Sequence, residues 1–103
     1  MKNIKQQLIE GVTGEIATKE REIQESDQEL KILNARLKVE NKTLGMQDIK
    51  EYLREDFKYS AQALEGVLAQ EQQKNTELKK ELEMLKYRKP VTESQFSDTD
   101  LDG

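Results

Sequence analysis

The chain has 103 residues, 37% of them charged and 34% hydrophobic, with three Tyr, two Phe and no Trp. That is too little apolar material for a compact globular core, since small domains are marginal even with a normal share of it. Cys and His are both absent, which removes disulfide frameworks, thiolate nucleophiles, the commonest metal ligand and the usual general base near neutral pH.

No catalytic residue, metal site or cofactor is therefore expected. No stretch approaches the roughly 18 apolar residues a membrane span needs. The opening residues Met1-Lys2-Asn3-Ile4-Lys5-Gln6-Gln7 lack the apolar core of a signal peptide, so a cytoplasmic protein without membrane contact is expected. Residues 1–44 and 45–89 each balance their charges, and the net charge of −4 lies wholly on Glu93, Asp98, Asp100 and Asp102. An electroneutral body argues against nucleic acid as a partner.

The composition, rich in Glu, Lys, Leu and Gln, favours long helices with a narrow apolar stripe. In the first half Ile9, Ile16, Ile23, Leu30, Leu37 and Leu44 recur every seven residues without a miss, the coiled-coil period. This predicts a first helix over about 4–44, with Gly11-Val12-Thr13-Gly14 able to kink it or delay its start to about Thr13. Gly45 suits a left-handed position just past a helix end. Asp48-Ile49-Lys50-Glu51 has the spacing of a capping box. A turn at 45–48 and a second helix over about 49–88 follow. The second helix has its own seam, Phe57, Leu64, Glu71, Leu78 and Leu85, accompanied by Ala61, Leu68, Asn75 and Leu82. Pro90 should stop it, leaving 90–103 as a disordered acidic tail with too little apolar surface to repay ordering.

Two similar helices and a short turn predict an antiparallel two-helix coiled-coil hairpin, with one long continuous helix as the alternative. A turn centred near residue 47 pairs positions whose numbers total about 94. Leu30 then meets Leu64, Leu37 meets Phe57, Ile23 meets Glu71, Lys19 meets Asn75 and Glu40 meets Arg54. Lys19, Glu71 and Asn75 form a polar layer in this register, a device that fixes register at some cost in stability.

Apolar residues remain beyond the seam. Ile32, Ala35, Val39 and Met46 make a second stripe on the first helix, and Ile49, Tyr52, Leu53 and Val67 widen the apolar face of the second. A two-helix hairpin cannot bury them all, and exposed apolar patches mark interfaces. Self-association, as a dimer closing a four-helix bundle, is the simplest use; docking on another protein is the competing one. The basic end of the second helix (Lys79, Lys80, Lys86, Arg88 and Lys89, with Tyr87) matches the cations expected to offset a helix dipole. In the tail, Phe96 and Leu101 among Asp98, Asp100 and Asp102 have the composition of a short motif that orders on binding. Asp98-Thr-Asp100-Leu-Asp102-Gly103 matches only the opening of an EF-hand loop, without the closing Glu, so calcium is not expected.

In size and layout the chain resembles the small coiled-coil scaffolding and chaperone proteins of tailed bacteriophages, a likeness of architecture over the body of the chain. It implies an oligomeric scaffold or assembly factor. The alternative is a small regulator that binds and inhibits or retargets a single host protein.

Overall fold

The computed structural model describes residues 3–95 and consists of two helices packed against each other, α1 (Ile4–Leu44) and α2 (Glu51–Gln95). No strand occurs among the described residues. The expected tail motif, Phe96 to Asp102, lies outside them.

Both helices bury one stripe each, and the stripes follow the heptad. On α1 the residues at the expected seam are all buried or half-buried, from Ile9 to Leu44, and so are the companions Val12, Lys19, Ser26, Leu33 and Glu40. On α2 the same holds for Phe57, Leu64, Glu71, Leu78 and Leu85 and for Ala61, Leu68, Asn75 and Leu82. Leu33 and Ser26 are the most deeply buried, each at 2% exposure.

α1 begins with a reciprocal amide cap. Asn3 Oδ1 accepts the Gln6 N–H at 2.8 Å, and Gln6 Oε1 accepts the Asn3 N–H at 3.3 Å. Two donors left unpaired by the helix start are thereby satisfied. Gly11 and Gly14 neither interrupt the helix nor delay its start. Each glycine costs about 1 kcal/mol inside a helix, and the half-buried Ile9, Val12 and Ile16 carry it past them.

Three details at the turn differ from the sequence reading. Gly45 is not a left-handed cap, for no described glycine has positive φ. Instead the last turn of α1 tightens: the Gly45 N–H bonds to Lys42 O at 3.1 Å and Asn41 O at 3.2 Å, and the Met46 N–H bonds to Thr43 O at 3.1 Å. Arg54 Nη1 donates to Leu44 O at 2.9 Å, satisfying one of the carbonyls that a helix end leaves unpaired. Asp48 does not cap α2, which starts at Glu51 rather than 49. Ile49 is half-buried in the linker, where its side chain lines a hollow with Met46, Leu53 and Phe57.

At the other end, Pro90 does not stop α2, which continues to Gln95. Proline removes one backbone donor and crowds the preceding turn. The seam continues through it: Lys89 and Thr92 are half-buried at the next two seam positions, and Val91 and Thr92 share a hollow with Val12. The hydroxyls of Thr92 and Ser94 donate to Arg88 O and Pro90 O at 2.9 and 2.8 Å.

The described residues divide into two compact units, 3–24 with 76–95, and 25–75. The second is a helical hairpin that contains the turn. In the first, the ends of the helices lie antiparallel: Lys19 Nζ is 2.6 Å from Glu81 Oε2.

Candidate protein-interaction face

The register decides which side chains meet. In the hairpin unit the buried Asn75 donates through Nδ2 to Ser26 Oγ at 3.1 Å and to Asp27 Oδ1 at 2.8 Å. Asn75 was expected opposite Lys19, one heptad earlier. The phase of the two stripes is thus as expected, and the register is displaced by one heptad. The cause is the turn: with residues 45–50 outside both helices, Leu44 comes level with Phe57, and every later level moves by the same two turns. The expected layer of Lys19, Glu71 and Asn75 does not form. Lys19 pairs with Glu81 and, at 3.7 Å, with Glu22. The hydrogen bond to Glu81 holds its ammonium above the usual lysine range. Glu71 is half-buried at its own seam position, level with Leu30.

Heptad letters show how the remaining apolar residues are arranged. With Ile9 and Ala61 at a, the g positions of two antiparallel helices flank one side of the seam and the e positions the other; c lies beside g, and b beside e. The contacts agree in each unit. Lys19 reaches Glu81, a g residue, and a hollow of about 290 Å³ joins Glu15 (g) to Met84 (c) and Arg88 (g). In the hairpin unit Thr43 and Leu53, both g, line one hollow of about 370 Å³, while Asp27, an e residue, reaches Asn75 on the other side.

The large exposed apolar side chains fall on one side. In the hairpin unit they are Ile32 and Val39 at c of α1 and Val67 at g of α2, with exposures of 44, 62 and 48%. Met46 continues the row into the linker. In the other unit they are Ile4, Leu8, Met84 and Val91, again at c or g. The e and b positions of the hairpin unit hold Asp27, Lys31, Asn34, Lys38 and Asn41 on α1, and Glu51, Glu55, Lys58, Gln62, Glu65, Ala69 and Gln72 on α2. No large apolar residue stands there. The three tyrosines, Tyr52, Tyr59 and Tyr87, all occupy f, the outer ridge of α2, and each is more than 70% exposed.

Of the residues expected at an interface, Ile32, Val39, Met46, Tyr52 and Val67 are exposed, whereas Ile49 and Leu53 are half-buried at the turn-end hollow. The one-sidedness, Met84, Val91, Ile4, Leu8 and the tyrosine ridge were missed. Lettering both helices would have revealed them from the sequence. Ser26 and Asp27 as partners of Asn75 required the register.

No described helix is long and apolar enough to cross a membrane, and no described group of three or more Asp and Glu is placed to hold a metal ion. Compared with protein-family models, with characterised proteins and with solved structures, the chain matches none.

Proposed function

We propose that the chain is a non-enzymatic coiled-coil interaction module that acts in the cytoplasm as an oligomeric scaffold or assembly factor, in the manner of the small scaffolding proteins it resembles in layout. The observation that carries this reading is the confinement of exposed Ile, Val, Leu and Met side chains to the c/g side of the seam in each unit. Such a face is costly to leave in water at about 25 cal/mol per Å² of apolar surface, and a second copy covers it most simply as a dimeric four-helix bundle. The opposite side of the hairpin unit, which carries charged and amide side chains and no large apolar one, keeps the assembly soluble.

The turn-end hollow favours a second reading. Thr43, Met46, Ile49, Leu53 and Phe57 form a recess beside the exposed Tyr52, and aromatic residues beside apolar recesses are frequent anchors of hetero-complexes. A regulator of one host protein would use it. Capture from the producing cells on the full-length chain, read by mass spectrometry, separates the two. Self together with multi-copy structural proteins supports the scaffold. One enzyme or regulator recovered at near-equal amounts, and lost with Met46→Glu, supports the regulator and overturns the scaffold.

A further inference from the structure

The hairpin unit contains one unsatisfied feature that the observed register does not use. Glu40 Oε2 is buried without a hydrogen-bond partner. Counting in heptads from the Ser26–Asn75 contact, Leu33 is level with Leu68 and Glu40 with Ala61, an alanine that offers no donor. Leu30 likewise comes level with the half-buried Glu71 rather than an apolar residue. Move α2 by one heptad and Glu40 comes level with Arg54, a guanidinium that can fill both carboxylate oxygens. Leu30 then meets Leu64, and Leu33 meets Ala61. The unused capping sequence Asp48-x-x-Glu51 fits this shift too, because the shorter turn starts α2 close to Asp48.

We infer that the hairpin unit has two registers one heptad apart, and that the Asn75 layer holds it in the observed one. The stripes are in phase in both, so side-chain periodicity cannot choose between them. Polar residues choose. The observed register satisfies Asn75 with Ser26 and Asp27 and caps Leu44 O with Arg54; the shifted one satisfies Glu40 and gives up those bonds. Buried donors and acceptors left unpaired weigh heavily against any register, which makes both arrangements discrete states rather than a continuous slide. The shift also rebuilds the linker at 45–50, so a protein seated in the turn-end hollow would sense the register. This inference stands on the polar contacts alone and does not depend on what the face binds.

The chain has no cysteine, so introduced pairs report the register cleanly. Leu33→Cys with Leu68→Cys marks the observed register, Leu33→Cys with Ala61→Cys the shifted one, and Leu33→Cys with Glu65→Cys serves as an out-of-phase control. Under oxidation the 33/68 pair should close readily. Adding Asn75→Leu should raise closure of the 33/61 pair at least tenfold, and adding Glu40→Leu to that chain should return it toward the starting level. Circular dichroism of each chain verifies that the helices persist. If Asn75→Leu leaves 33/61 closure at the level of the control pair, the second register does not exist. If Glu40→Leu fails to reverse an increase, the frustration of Glu40 is not its cause, and the inference fails on that ground. Should a cysteine pair disturb packing, spin labels on the exposed Lys38 and Lys58 supply the same test as a shift between two discrete distances.

Discussion

At position 75 an amide occupies a seam place that leucine fills in the heptads on either side. Its Nδ2 binds Ser26 and Asp27 within the core, and the cost of a polar seam residue is offset by full use of the donor. Asn75→Ala should lower unfolding free energy by about 1–3 kcal/mol, read from urea denaturation. Leu33, the largest fully buried side chain, should cost about 2–5 kcal/mol on truncation to Ala. Gly11 and Gly14 point the other way. A methyl group built on either meets no neighbouring atom within 4 Å, so each Gly→Ala change should stabilise by about 0.5–1 kcal/mol and raise the melting temperature. For Lys19 the raised pKa fixes a sign. Its folded value lies above 10.5, so its contribution is complete below that pH and is lost as pH rises past the folded value. Lys19→Met should therefore flatten the alkaline fall in melting temperature and leave its pH dependence near neutrality unchanged.

The two helices were legible because a seven-residue repeat survives substitution at single positions: Ser26, Lys19 and Glu71 interrupt the apolar seam without moving its phase. Their ends were less legible, since ends depend on a few local bonds. The Asn3–Gln6 cap could have been read from its spacing, with amides in place of the more familiar hydroxyl and carboxylate. The Arg54 bond to Leu44 O could not, because it spans the turn and exists only once the register is set. Pro90 misled for a related reason: its rule describes an isolated helix, whereas here the seam runs on to Thr92. Asn3→Ala should fray the start of α1 and cost about 1 kcal/mol, seen as lost amide protection over residues 4–8 in hydrogen exchange.

At the scale of the whole molecule, the seam consumes the a and d positions and leaves the chain with one polar side and one apolar-bearing side in each unit. The sequence reading found Ile32, Val39, Met46, Tyr52 and Val67 on chemical grounds and missed the surplus at the far end of the helices. Their shared side emerged only when the antiparallel pairing related the g and c positions of α1 to those of α2. The register was out of reach for a physical reason: two alignments one heptad apart bury similar apolar surface, and the difference rests on Asn75, Glu40 and the length of the turn. The central claim is that the c/g side is an interface, and sedimentation equilibrium tests it most directly. Ile32→Glu, Val39→Glu and Val67→Glu together should keep the helical signal yet reduce the particle to the mass of a single chain. The matched control Lys31→Glu, Asn34→Glu and Lys38→Glu, on the polar side, should leave an assembled mass unchanged. A chain that sediments as a monomer before any substitution, or an assembly that the c/g changes leave intact, would contradict the account.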